Sequence, residues 1–272
     1  MQWRVTAAGL AAALLCALPG AVSAQNETLD AINRYRQQLQ DGNPAELVAA
    51  RGEDLWKTKR GPKNVSLETC DLGLGAGVVK GAYARLPRYF ADADAVMDFE
   101  SRLVHCMVTI QGFSRDEVVR NPFSLRAGER QTDNEALTAY VVEQSRGATI
   151  AIPTEHPKER AAYDRGKTLF YLRGGPYDFS CSSCHGVEGQ RIRLQELPNL
   201  ETREAAQRAF AQWPAYRVSQ GALRTMQWRI FDCFRQQRFP ELVFISQSSV
   251  DLITYLGVNA NGGKMDSPSI KR

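Results

Sequence analysis

Cys181-Ser182-Ser183-Cys184-His185 is the stretch whose residue types and spacing most narrowly dictate a chemistry. Two thiols three positions apart meet the two vinyl groups of a haem, and the imidazole that follows reaches the iron, which is the attachment pattern of haem c. A thioredoxin-type C-x-x-C needs a strand-to-helix context; here a helix-like stretch, Glu159 to Leu172, leads in through Gly174-Gly175-Pro176. A zinc site would have to gather distant ligands from a chain with three histidines. The motif predicts one covalently bound haem c on Cys181 and Cys184, with His185 as an axial ligand.

Residues 1–24 carry one early arginine, an apolar run from Ala7 to Leu18, a Pro19-Gly20 break and small residues at Val22-Ser23-Ala24. This is the pattern of a cleaved export signal, too short to span a bilayer. Anchoring through Cys16 is disfavoured because Leu15, not a small residue, precedes it. The mature chain is expected as a soluble protein of an oxidising compartment, the periplasm. Losing Arg4 takes the formal charge from +4 to +3. With no Lys/Arg run carrying interleaved aromatics, nucleic acid is not an expected partner; a weakly basic surface suits an acidic protein or an anionic substrate.

The elements that must hold the haem motif occur twice. Arg51-Gly52-Glu53-Asp54-Leu55-Trp56 matches Arg165-Gly166-Lys167-Thr168-Leu169-Phe170, and Cys70 follows the first block as far on as Cys184 follows the second. Pro87-Arg88-Tyr89 precedes Cys106 as Pro214-Ala215-Tyr216 precedes Cys233. Arg102-Leu103-Val104-His105-Cys106-Met107 parallels Arg229-Ile230-Phe231-Asp232-Cys233-Phe234, and Leu137-Thr138-Ala139-Tyr140-Val141 parallels Leu252-Ile253-Thr254-Tyr255-Leu256. Four blocks in one order predict a mainly α protein of two tandem cytochrome c-like domains, residues 25–150 and 151–272. In this register Leu67 stands where Cys181 does and Asp71 where His185 does, so the first domain is expected to hold no haem.

Local signals place the helices. Asn43-Pro44 reads as a cap followed by proline at the first helical position, and Thr132-x-x-Glu135 as a capping box opening the helix of Leu137, Tyr140 and Val141. Gly166 permits close approach by the last helix, Ser248 to Val258. Residues 147–158, with two prolines and no helical period, read as the connection, and Asn259 to Arg272 as a mobile tail.

The cysteines can then be accounted for. Cys70 stands beside a haem position and Cys106 at the position of Cys233. If that position faces the haem, the two meet across the vacated pocket and pair, closing a loop of about 36 residues worth roughly 3 to 4 kcal/mol. Cys233 is left unpaired. His185 needs a partner across the iron; Met226 and Met265 are the ordinary choices, with Met226 also explained by core packing. Cys233 is the less ordinary one, since a thiolate favours ferric iron and lowers the potential. Arg229, four residues earlier, shares its helical face, where a guanidinium would lower the thiol pKa and clamp an oxyanion. Arg102 has the same spacing to Cys106 without a haem and reads as structural; His105 and His156 lack ligand spacing.

Together these residues resemble the SoxA family of bacterial sulfur oxidation over essentially the whole mature chain. The resemblance rests on Gly52-Glu53-x-Leu55-Trp56, Ser66-Leu67-Glu68-x-Cys70-Asp71-Leu72-Gly73, Leu86-Pro87-Arg88-Tyr89-Phe90, the haem motif, Pro214-Ala215-Tyr216-Arg217 and Arg229-x-x-x-Cys233. Leu67 and Asp71 depart from members with two haems, so the chain resembles the single-haem type with a disulfide. The resemblance implies oxidative conjugation of thiosulfate to a cysteine of the carrier SoxY, in the SoxYZ pair, with two electrons passed through haem to the cytochrome subunit SoxX and a soluble cytochrome c. It also implies that Cys233 is axial ligand and catalytic thiol, modified to a persulfide, and that Arg229 holds the thiosulfate. The rival functions are a thiosulfate dehydrogenase forming tetrathionate and a non-enzymatic His/Met electron carrier.

Overall fold

Two helix pairs, each closed on a glycine, frame the molecule. The computed structural model describes residues 41–124, 128–192 and 195–271 and scattered helical positions between Glu27 and Gln38; the predicted export signal lies outside the described residues. The chain divides into two units, residues 1–42 and residues 43–272. In the larger unit α1 (Ala45–Lys57) packs on α4 (Asp133–Glu143), and α5 (Pro157–Tyr171) packs on α9 (Gln247–Asn259). A Cβ at Gly52 would collide with the Ala136 carbonyl and stand 2.9 Å from the Tyr140 Cβ; at Gly166 it would collide with the Asp251 carbonyl and stand 2.9 Å from the Tyr255 Cβ. Glycine is required at both crossings because backbone meets backbone there.

An arginine one position before each glycine ties the pair together. Arg51 donates to the carbonyls of Gln131 and Thr132 at 2.9 and 3.2 Å and pairs with Asp133 at the head of α4. Arg165 grips Asp251 of α9 with two bonds of 2.7 and 2.9 Å. The Thr132–Glu135 capping box is present as predicted. The Asn43 side chain accepts from the Ala45 N–H at 3.0 Å, while Pro44 already has helical dihedrals, so the cap is Asn43 although α1 is assigned from Ala45.

Within each half a short antiparallel hairpin leads into a further helix. β1 (Arg88–Phe90) and β2 (Ala95–Met97) precede α2 (Phe99–Thr109), with α3 (Arg115–Val119) after it. In the second half come α6 (Cys181–His185), a β3–β4 hairpin (Arg191–Ile192 with Gln195–Glu196) and α7 (Arg203–Ala211). β5 (Ala215–Arg217) then pairs with β6 (Ala222–Arg224) ahead of α8 (Met226–Gln237). Asp98 caps α2 by accepting from Ser101 N–H at 2.9 Å; Thr225 caps α8 by accepting from Trp228 N–H at 3.2 Å. The apolar core is continuous from Trp56, Leu103 and Leu137 through Ile150 to Phe170, Leu252 and Tyr255, each such side chain contributing about 1.5–3 kcal/mol on burial.

Residues 147–156 are tied into the fold, and Pro157 and Lys158 already belong to α5: Ile150 N–H donates to the Gly263 carbonyl at 2.8 Å, Ala151 N–H to Ala84 at 2.9 Å, and the Ile150 and Ile152 side chains are buried. The C-terminal segment differs from expectation. Residues 259–271 are no free tail. Met265 is buried with its N–H on the Ala148 carbonyl at 2.9 Å, and β7 (Ser269–Lys271) adds to β5 in parallel. The two stretches share several backbone bonds with each other and take the rest from Ala84 and β5, a long-range pairing that local composition does not encode. Among the described residues, no helix is long and apolar enough to cross a membrane.

Candidate active site

The local sequence makes α6 a rigid pedestal. Ser180 and Ser183 form a reciprocal capping box, Ser180 accepting from Ser183 N–H at 3.1 Å and Ser183 accepting from Ser180 N–H at 3.0 Å. The loop before it is pinned by a 2.8 Å bond from Gly174 N–H to the Phe179 carbonyl. At Gly175, φ is +69°, and a Cβ would stand 3.0 Å from the Phe239 ring and 3.1 Å from the Arg238 carbonyl. This glycine lets the loop lie directly on the end of α8.

Cys181 and Cys184 are half-buried, unbonded thiols on α6. The His185 Nδ1 lies 2.9 Å from the Pro198 carbonyl. A carbonyl only accepts, so Nδ1 carries the proton and Nε2 keeps its lone pair for a metal. Burial pushes the imidazole pKa down, and the Arg229 charge pushes the same way, against the Pro198 bond. The net lowering favours the neutral ring, the form that binds iron. Two thiols placed for thioether links and one oriented imidazole base make a donor set that fits haem c.

Cys233 is the third free cysteine, half-buried on α8. Burial raises its pKa; Arg229 and Arg217 oppose that, while Asp232 and Cys184 add to it. The expected lowering by Arg229 therefore acts but is outweighed by desolvation, which disfavours a bare thiolate away from water. Cys181 is pushed up to about 12, by burial first and then by the charges of Cys233 and Cys184. These mutual effects place the haem cysteines, Cys233 and Arg229 in one electrostatic neighbourhood. The Arg229 Nη1 is 3.5 Å from Asp232 Oδ2, and its guanidinium lies 5.7 Å from the centre of the Trp213 ring. Asp232 is already held by Arg235 at 2.8 Å and Gln236 at 2.6 Å, so Arg229 keeps donors for an anion.

Arg217 went unremarked in the sequence as a site residue. Its Nε is buried without a hydrogen-bond partner, and its pKa is lowered by burial first and then by Arg229, with Asp232 and Cys233 opposing. A signal was available: Arg217 closes the Pro214-Ala215-Tyr216-Arg217 block at the place where the first half has Phe90.

The corresponding region of the first half is closed. Cys70 and Cys106 are disulfide-bonded with Cα atoms 5.8 Å apart, deep in the core. Asp71 folds onto its own loop, accepting from the N–H groups of Gly73 and Gly75 at 2.6 and 3.0 Å. Arg102 donates to the Asp71 carbonyl at 2.7 Å, clamps both oxygens of Asp92 at 2.8 Å and stacks 4.0 Å from the centre of the Phe90 ring. His105 lies 3.4 Å from Asp92. His156 caps α5, accepting from Lys158 N–H at 3.2 Å, and stacks on Tyr89. Met226 is buried in the core.

A mainly helical fold that presents an oriented C-x-x-C-H pedestal is that of a c-type cytochrome. Residues 51–150 match the family model of the SoxA/TsdA cytochrome c domain. The chain is 50% identical over 270 residues to the L-cysteine S-thiosulfotransferase subunit SoxA of Hydrogenophilus thermoluteolus, spanning 96% of this chain and 98% of that protein. A SoxA subunit of Hydrogenobacter thermophilus is 33% identical over 230 residues, 84% of this chain and 82% of that one. The crystal structure of SoxXA from P. pantotrophus shares the fold with a TM-score of 0.71 at 22% identity, covering 88% of this chain and 84% of the other. The chain belongs to the SoxA family.

Proposed function

We propose that this chain is the thiol-bearing subunit of a periplasmic L-cysteine S-thiosulfotransferase that works with a SoxX cytochrome and joins thiosulfate to a cysteine of the SoxYZ carrier. The observation that carries this reading is the unbonded Cys233 thiol, set among two partly buried arginines and beside the haem motif. Cys181 and Cys184 would hold haem c covalently, His185 and Cys233 would offer the donors to its iron, and the haem would supply an electron acceptor for the oxidation. Arg229 and Arg217 hold the thiosulfate dianion by charge-assisted hydrogen bonds and desolvate it. Cys233, carried as a persulfide, accepts the substrate sulfur covalently and divides the oxidation into two steps. In sum a sulfur–sulfur bond forms between thiosulfate and the carrier cysteine, the carrier thiol loses its proton, and two electrons leave to SoxX and a soluble cytochrome c. Residues 25–150 serve as a haem-free cytochrome-like domain whose Cys70–Cys106 bond takes over stabilisation that haem gives the domain of residues 151–272.

The test is to incubate the complex with SoxYZ, thiosulfate and ferric cytochrome c and to weigh the carrier. Gain of one thiosulfate per carrier cysteine, lost in Cys233→Ala although haem stays attached, is the expected result. Tetrathionate without carrier modification would assign the chain to thiosulfate dehydrogenase instead. A ferric electron paramagnetic resonance signal unchanged by Cys233→Ala would remove the thiolate ligand and leave an electron carrier.

A further inference from the structure

The head of α2, in the first half, reaches the helix that carries Cys233. Asp98 uses one oxygen to cap α2 and the other, Oδ2, to accept from Gln227 Nε2 at 2.7 Å. Glu100 Oε2 accepts from the Gln227 backbone N–H at 3.2 Å, and Oε1 accepts from Asn134 Nδ2 of α4 at 2.8 Å. Gln227 returns its own Oε1 to the Ile245 N–H at 3.3 Å. Asp98, Glu100 and Gln227 are 4%, 2% and 1% exposed, so the seam is sealed from water.

Gln227 lies in the first turn of α8, where backbone N–H groups lack intrahelical acceptors and the helix dipole favours an acidic group. Arg229 and Cys233 follow within two turns of the same rigid helix. Burying two carboxylates is expensive, and an apolar seam would hold the helices together at lower desolvation cost. Apolar contact is non-directional, however, and would leave the rotation and axial position of α8 less defined than paired hydrogen bonds do.

We propose that Glu100, supported by Asp98, is a positioning residue: the pair holds the first turn of α8 and through it sets where Arg229 and Cys233 stand. The inference rests on the reading of Cys233 as the reacting thiol and gives the haem-free half a role in the chemistry of the other half.

The test uses the haem-loaded complex with SoxX and compares Glu100→Ala, Glu100→Gln and the core variant Leu137→Ala, which lies off the seam. Glu100→Ala should shift the ferric electron paramagnetic resonance signal and lower kcat roughly 10- to 100-fold, as a displacement of about 1 Å at a reacting group does. Glu100→Gln, which keeps an acceptor and the shape, should restore most of both. Leu137→Ala should lower Tm with the signal and kcat kept. If Glu100→Ala is too unstable to isolate, Asp98→Asn, which keeps the capping oxygen and removes the acceptor for Gln227, should shift the signal in the same way. A Glu100→Ala protein, or in its place Asp98→Asn, with lowered Tm but unchanged signal and kcat overturns the positioning role, provided Cys233→Ala changes the signal and abolishes turnover. If Cys233→Ala also leaves both unchanged, the reading of Cys233 has failed, and the positioning role falls with it.

Discussion

Cys106 and Cys233 occupy the same place in two similar runs of elements, each on a helix entered from a hairpin and each four residues after an arginine. Cys106 is spent on Cys70, and Arg102 is spent on Asp92, Asp71 and Phe90. Cys233 is free, and Arg229 makes a long contact with Asp232 and lies over the Trp213 ring, with no bidentate carboxylate clamp like that of Arg102 on Asp92. The same spacing thus yields a closed structural cluster in one half and an available thiol–guanidinium pair in the other. What separates them is the neighbourhood: Asp71 satisfied by its own loop against His185 aimed by Pro198, and Phe90 against Arg217, whose Nε is buried without a hydrogen-bond partner.

The sharpest way to break the comparison is to remove the two cysteines in turn. Cys233→Ala should abolish carrier conjugation, read by carrier mass, with folding and covalent haem intact. Cys106→Ala, with Cys70→Ser to avoid a stray thiol, should instead lower stability by roughly 3 to 4 kcal/mol in denaturant melts and leave activity per folded molecule unchanged. The arginines should divide in the same way with smaller effects. Arg229→Ala should raise KM for thiosulfate and weaken turnover by roughly tenfold, about the value of one charge-assisted bond, with partial rescue by Arg229→Lys. Arg102→Ala should cost about 2 kcal/mol of stability and leave KM alone. A further contrast concerns pH. Burial and the Asp98 charge push the Glu100 carboxyl up to about 8, against hydrogen bonds from Asn134, Thr225 and Gln227; Tyr83 also faces Glu100 and Asp98. Because folded Glu100 binds its proton more tightly than the unfolded chain does, stability should fall as pH rises from about 5 towards 8. Glu100→Gln should flatten that slope in a pH series of melting temperatures.

How much of this the sequence discloses depends on how local each interaction is. The haem motif is legible because thioether attachment needs contiguous residues, and Gly52 and Gly166 are legible because the repeat aligns them. The Thr132–Glu135 box is written within one helical turn. Arg217 was missed because its importance lies in an Nε buried without a hydrogen-bond partner, a property of the assembled fold. Pro198 as the aiming partner of His185 and the Asp98–Glu100–Gln227 seam were missed for the same reason. The segment after Asn259 looked free because its pairing with residues 147–152 and with β5 is long-range.

Peptide mapping by mass spectrometry of the mature protein under non-reducing conditions, with free thiols alkylated first, tests the central claim most directly. The expected result is haem on the peptide of Cys181 and Cys184, a disulfide-linked pair of peptides holding Cys70 and Cys106, and an unpaired Cys233 that reacts as a thiol or as a persulfide with one added sulfur. A disulfide joining Cys233 to Cys70 or Cys106 would contradict it.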